Sequence, residues 1–254
     1  MLPNFAAENK TEYDMLAASY TYPVFPEAVD GRELMKVSAL CDCAVNAIGR
    51  RIEEQGFGVR MMASVGRSWV LSRYALEIDY RPKMYSRFSV KVSDGPVGCI
   101  STPRYVRFTD SEGNEFARGW TEWSIIDRVR RSLSRLDSGQ CANLSPVVDP
   151  ELPCAKPERV RSIEVDHTGT RNVGFSDCDF NGHLNNIKYV EMFYDMLPDE
   201  VAGTTSPVRL DVNFHREVMS GENLTLGLGS ASGRYNFIVL RGTDTACTAS
   251  LRIR

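Results

Sequence analysis

In the stretch FSDCDFNGHLNNIKYVEMF, residues 175–193, polar side chains fall on every second position: Asp177, Asp179, Asn181 and His183. Carboxylates and an imidazole are groups that move protons near neutral pH, and an amide holds a carbonyl or a water without changing charge. An extended chain puts alternate residues on one face, so the spacing predicts a strand that presents all of them together. Directly afterwards the apolar residues take helical spacing, from about Leu184 to Leu197, with Pro198 as the stop. The first turn of such a helix offers unpaired N–H groups and positive dipole character, where a developing oxyanion is stabilised. Asp and Asn before a helix are also ordinary caps. Asp177 fits that plainer role, whereas Asp179, Asn181 and His183 exceed what one cap needs.

The elements around this stretch repeat. In the segment DGRELMKVSALCDCAVNAIGRRIEEQGFG, residues 30–58, Leu34, Val37, Cys41, Ala44, Ile48 and Ile52 follow the three-four spacing of one buried helix face. Asp30 and Glu33 resemble a capping box, and Gly56 and Gly58 mark the end. Four strand-like runs follow: SWVLSRYALEIDY, SRFSVKVSD, GCISTPRYVRFTD and EFARGWTEWSIID, the third weakened by Pro103. A proline-rich stretch carrying Pro146, Pro150, Pro153 and Pro157 reads as a linker. Beyond it come the second helix and four more runs, PVRLDVNFHREV, ENLTLGLGS, YNFIVLRG and TACTASLRIR. A helix followed by four strands, twice, predicts a duplicated α+β unit in which each sheet wraps one long helix. The glycines Gly227, Gly229 and Gly233 lie between two strands with no helix after them, so a hairpin is expected and not a phosphate loop.

Composition narrows the function. With 43% hydrophobic and 25% charged residues, the 254-residue chain can bury a large core. A net charge of −3 argues against nucleic acid as partner. No apolar run is long enough for a membrane span, and the start, MLPNFAAENKTEYDML, shows no secretory leader. The seven cysteines are scattered, never spaced as a CxxC pair. Reduced thiols in a cytoplasm are expected. Cys41 and Cys43 lack the companions of a metal site, and no GxSxG elbow for a serine nucleophile occurs.

The run DCDFNGHLNNIKYVEMF resembles the D-x-D-x-N-x-H-x-N-N-x-K-Y signature of the acyl-acyl-carrier-protein (acyl-ACP) thioesterases of plant plastids and bacteria, and the likeness extends from about residue 10 to the end. That resemblance implies a tandem double hotdog: residues 1–136 as an N-terminal hotdog domain holding the acyl-chain pocket, 137–158 as linker, and 159–254 as a C-terminal hotdog domain carrying the catalytic residues. It implies hydrolysis of a fatty acyl-ACP thioester to free fatty acid, with neither cofactor nor metal, and leaves a homodimer open. The family's Glu on the strand after the second helix is matched by Glu217 in NFHREVMSG. The implied catalytic set is therefore Asp179, Asn181, His183 and Glu217, with Glu217 or Asp179 as base. Many plant members carry Cys directly after this Glu; Val218 stands here, so a cysteine nucleophile at that position is excluded. The alternatives are a hotdog dehydratase acting on a β-hydroxyacyl thioester and a non-catalytic acyl- or carrier-binding module.

Other groups are weighed against plainer roles. Trp69, Trp120 and Trp123 read as core or pocket wall. Arg128, Arg130, Arg131 and Arg135 form a solvated face or a dock for an acidic carrier protein, with Lys156, Arg159 and Arg161 as a second candidate. His167 and His215 fall outside the matched motif. Cys178 points to the opposite strand face from the aspartates and is expected to be buried and inert.

Overall fold

The computed structural model describes residues 17–95, 101–134, 151–160 and 164–254. The expected linker 137–158 falls mostly outside these, as do Arg135 and Arg161. In the first half, strand β1 (Ala18–Pro23) leads through a turn to helix α1 (Val37–Glu54) and the short helix α2 (Val59–Ser64). Strands β2 (Arg67–Ile78), β3 (Arg87–Asp94), β4 (Ser101–Asp110), β5 (Glu115–Asp127) and β6 (Ser132–Leu133) follow. The second half has β7 (His167–Asn172), helix α3 (Asn186–Met196) and a short α4 (Asp199–Ala202). It ends with β8 (Val208–Phe214), β9 (Asn223–Ala231), β10 (Arg234–Arg241) and β11 (Asp244–Ile253).

Hydrogen bonds order the strands β1-β3-β4-β5-β2-β8-β11-β10-β9-β7, with β6 folded back on β5. Read from its outer edge inward, each half has the same order of five strands, so the expected duplication is present. The halves join at a seam where β2 pairs antiparallel with β8, from Arg73 opposite Asn213 to Ile78 opposite Val208. Helix α1 buries Val37, Leu40, Cys41, Ala44, Ile48 and Ile52 against β1, β3 and β4, and α1 also lies against α3. This is the tandem hotdog arrangement that the motif implied. The seam is tied by Arg209, whose guanidinium meets Glu77 at 2.9 Å and the fully buried Asp211 at 2.8 Å.

The differences from expectation are local. Helix α1 starts at Val37, not at Asp30: its N-cap is Lys36, without a side-chain hydrogen bond, and Glu33 sits at φ 61° in a turn. Gly56, at φ 78°, ends it as expected. Pro103 does not break β4: it stands opposite Glu122 of β5, and just past the last β3–β4 pair, Asp94 opposite Arg104, its carbonyl still accepts from the Gly95 N–H at 2.8 Å. The edge strands β1 and β7, ASYTYP and HTGTRN, carry no strong alternation and were not expected. The 227–233 glycine stretch is the β9–β10 hairpin, turning at Ser232 and Gly233, both at positive φ.

Candidate active site

Residues 177–183 do not form a strand. Phe175–Asp177 is a turn of 3-10 helix, and the chain then reverses sharply. The Asp179 N–H donates to the His183 carbonyl at 2.7 Å, and Gly182 adopts φ 77°, a conformation that suits a residue without Cβ. The Asp179 carboxylate closes the loop by accepting from the backbone N–H groups of Asn181 at 2.8 Å and His183 at 3.2 Å. Side-chain hydrogen bonds of this kind are how Asp competes with extended structure, so alternate spacing here encodes a turn. Helix α3 starts two residues later than expected, after Asn185, whose side chain caps the Ile187 N–H at 3.0 Å.

This loop still brings acid and imidazole together. Glu217 lies beyond the end of β8, where the Leu184 N–H bonds the Val218 carbonyl at 2.8 Å and His183 bridges Met219. His183 Nδ1 comes to 3.6 Å from Glu217 Oε1. The other carboxylate oxygen of Glu217 contacts the Arg131 guanidinium, which reaches across from the β5–β6 turn. The Glu217 carbonyl is held by Arg241 at 2.9 Å. Partial burial lowers the His183 pKa, the Asp179 carboxylate pulls the other way, and Arg131 adds to the lowering. Val218 is fully buried in the hydrophobic core, so the residue after Glu217 is a packing residue.

Of the expected residues, His183 and Glu217 meet. Asp179 borders them through the backbone of the loop. Asn181 sits exposed at the loop tip, its amide 3.5 Å from Asp179 Oδ2, and does not reach Glu217 in this structure. Asp177 is a buried structural acid, accepting from the Gly174 N–H at 2.9 Å and from Arg171 at 3.1 Å. Cys178 is half-buried, with its thiol toward the Gly174 carbonyl at 3.7 Å. His215 bonds Thr248 at 3.0 Å and His167 starts the edge strand β7, both away from the pair. Lys188 pairs with Glu191 on the same helix at 2.7 Å. Sequence reasoning missed Arg131 as a partner of Glu217. Its arginine neighbours read as a docking face, and no local spacing announces a contact made from the other half.

The duplication supplies an internal control. Pro26–Ala28, Asp30 and α1 in the first half repeat Phe175–Asp177, Asp179 and α3 at matching spacing. The Asp30 carboxylate accepts from the N–H groups of Arg32 at 2.9 Å and Leu34 at 3.3 Å, the same two bonds that Asp179 makes. The Met35 N–H bonds the Pro82 carbonyl at 2.8 Å, as Leu184 bonds Val218. Leu34 therefore stands in the place of His183, and Arg81 in the place of Glu217. Arg81 pairs with Asp30 at 2.7 Å and also donates to the Thr204 carbonyl at 3.2 Å. The first half keeps the loop and its clamp but has neither the imidazole nor the acid.

Two sequence matches divide the chain as the duplication does. Residues 16–144 match the acyl-ACP thioesterase N-terminal domain and residues 160–241 the acyl-ACP thioesterase C-terminal domain. The chain belongs to the acyl-ACP thioesterase family. The structure superposes on an acyl-ACP thioesterase from Bacteroides thetaiotaomicron with a TM-score of 0.87 at 24% identity, covering 95% of this chain and 99% of that one. A 12:0-ACP thioesterase from Umbellularia californica gives a TM-score of 0.85 at 17% identity, covering 94% and 97%. Among curated proteins, the chain is 24% identical over 172 residues to the dodecanoyl-[acyl-carrier-protein] hydrolase of Cinnamomum camphora, a match over 64% of this chain and 44% of that protein. The chain thus spans less than half the length of this curated relative.

Proposed function

We propose that this chain hydrolyses fatty acyl thioesters of acyl carrier protein, with Asp179, Asn181, His183 and Glu217 as its reacting constellation. The observation that supports it most is the imidazole–carboxylate pair, His183 Nδ1 to Glu217 Oε1 at 3.6 Å, in a chain of this family. Glu217 takes a proton from water, and the hydroxide adds to the thioester carbonyl. Glu217 passes that proton to His183, the tetrahedral intermediate collapses with loss of the C–S bond, and the imidazolium delivers a proton to the leaving thiolate, which returns Glu217 and His183 to their starting states. The products are a free fatty acid and the carrier's thiol.

Asp179 holds the loop that aims His183, and its charge favours the imidazolium formed during proton transfer. That assignment selects Glu217 as base, because both Asp179–backbone bonds recur at Asp30, in a loop where Leu34 stands in place of His183 and Arg81 in place of Glu217. Asn181, at the loop tip, turns its amide toward the substrate carbonyl once substrate fills the site. In this proposal the N-terminal domain, 1–136, supplies the acyl pocket and the C-terminal domain, 159–254, the chemistry, as the resemblance implies. An acidic carrier docks on Arg128 and Arg130 or on Lys156 and Arg159. Both members of the pair come from one chain, so a homodimer is compatible with the mechanism and not required by it. The cytoplasmic setting stays part of the proposal and accords with unbridged Cys41, Cys43, Cys154, Cys178 and Cys247.

The test is release of free thiol from a panel of acyl-ACP and acyl coenzyme A thioesters, by wild type and by His183→Ala. Hydrolysis by wild type with loss in the variant supports the proposal. Full activity in His183→Ala sinks the mechanism. Water removal from a β-hydroxyacyl thioester without thiol release indicates the dehydratase, and binding without turnover the carrier-binding module.

A further inference from the structure

We propose that Arg131 is a positioning residue for this reaction: reaching in from the first half, its guanidinium holds the Glu217 carboxylate so that the remaining oxygen faces His183. The inference rests on the thioester-hydrolase reading above and adds to it a group outside the matched motif.

Glu217 occupies a connection, not a strand, and its backbone is anchored by Arg241 through the carbonyl. Its side chain has two partners among the described residues, Arg131 on one oxygen and His183 on the other. Without Arg131, the carboxylate would keep only the 3.6 Å contact to a ring that is mostly neutral at pH 7. A guanidinium presents its donors in a rigid fork matched to a carboxylate, so it fixes the plane of the acid as well as its charge.

The turn that delivers Arg131 is built for the purpose. Arg131 sits at φ 54°, in the left-handed region that a non-glycine residue rarely enters. The strain is held in place from several sides. The Asp127 carboxylate accepts from the N–H groups of Val129 at 2.9 Å and Arg130 at 2.8 Å, and the Arg131 N–H donates to the Asp127 carbonyl at 2.9 Å. Beyond it, β6 returns to pair Leu133 with Ile126 and Ser132 with Asp127. A strained residue whose surroundings over-determine its conformation, and whose side chain ends on the acid of a candidate active site, points to a positioning role.

The surrounding charges are accounted for. Asp179, Glu217 and Arg131 face His183, while on the β9 and β10 side Arg241 stands among Glu222 at 3.6 Å and Asp244 at 3.8 Å. Arg131 is thus the cation that offsets two carboxylates beside the imidazole.

The experiment combines NMR titration of the histidine rings with kinetics in the full chain. Only three histidines are present, so His183 is assigned by the resonance lost in His183→Gln. In Arg131→Ala the His183 midpoint should move up, because a cation that opposes ring protonation is gone, while those of His167 and His215 stay. On an acyl coenzyme A thioester, kcat should fall about fivefold with KM little changed, the upper end of what a half-exposed ion pair supplies. Arg131→Lys keeps the charge and should return the midpoint most of the way. An unmoved His183 midpoint in a folded Arg131→Ala protein, or a loss confined to KM, overturns the assignment. If the wild type releases no thiol, the hydrolase reading fails while the titration still decides whether Arg131 acts on the pair.

Discussion

Replacing Asp179 with Asn separates a loop clamp from a catalytic base. The clamp reading assigns the Asp179 carboxylate two acceptor bonds, to the N–H groups of Asn181 at 2.8 Å and His183 at 3.2 Å. An asparagine side chain still offers one carbonyl oxygen in the same place, and a single oxygen, Oδ1, makes both bonds here. Asp179→Asn should therefore retain the loop, with stability reduced by about 1 kcal/mol as charge-assisted bonds become neutral ones. Asp179→Ala leaves both amides without that acceptor and should cost about 2 kcal/mol, lowering Tm by roughly 4–8 °C for a chain of this size. The matched control is Asp30→Asn in the first half, which should cost more stability, because it also breaks the 2.7 Å ion pair with Arg81, but leave kcat unaffected, since no reacting group of the proposal stands on that loop. Thermal unfolding and thiol release measured on the same preparations decide the matter. A kcat loss of about a thousandfold in Asp179→Asn with unchanged Tm would falsify the clamp and make Asp179 the base.

The remaining expectations can be checked with the same two assays. Glu217→Gln keeps the shape and removes the base, so kcat should fall about a hundredfold or more with Tm held; a loss under tenfold would return the base role to Asp179. Asp177→Ala removes a buried acceptor of the Gly174 N–H and the Arg171 pair, and should lower stability by about 1–3 kcal/mol while most activity per folded molecule survives. Asp211→Ala leaves the buried Arg209 guanidinium with Glu77 and the Ala155 and Lys156 carbonyls as partners and should cost about 2–3 kcal/mol by denaturant unfolding; a cost under about 1 kcal/mol would show that the seam does not depend on this pair. Burial is the first cause of the lowered pKa at both His183 and His215, so the unfolded chain binds more protons than the native one as pH falls below the usual imidazole range. Stability should therefore drop on acidification from pH 7 through that range, and His183→Gln should flatten the slope; a slope identical to wild type would remove His183 from the account.

The duplicated architecture was legible because periodic burial needs only local spacing: the α1 stripe from Val37 to Ile52 is buried as read, and only Leu34 left the helix. The edge strands were not legible. Each pairs on one side and faces solvent on the other, so ASYTYP and HTGTRN carry little of the alternation that a half-buried strand shows. The loop 177–183 was misread for a different reason. A period of two has several structural sources, and here Asp179 and Gly182 produce a reversal in which the aspartate bonds residues two and four positions ahead. Spacing singled out His183 and the motif resemblance Glu217, and the structure sets their side chains 3.6 Å apart. Arg131 could not be found that way, because its partner is distant in sequence and its turn is set by Asp127 acting on its own backbone.

The copy of the loop in the first half shows what the second half gives up in electrostatic balance. There, Arg81 takes the place of Glu217 and sits 2.7 Å from Asp30, so a carboxylate meets a guanidinium directly and the loop is electrostatically at rest. In the second half a second carboxylate occupies that place, and Asp179 and Glu217 flank one imidazole whose burial disfavours its charged form. Two like charges around a group that resists protonation are unfavourable for stability and useful for proton transfer, the trade-off usual at sites of chemistry. The compensating cation comes not from the same loop but from Arg131, at a strained position in the other half. Leu34 and Arg81 thus make the first copy a stable support, with Arg81 also gripping the backbone at Thr204 of its partner half. Each half places an arginine against the other, Arg81 on the Thr204 carbonyl and Arg131 on the Glu217 carboxylate, so the two copies of the loop differ in the charge that meets them.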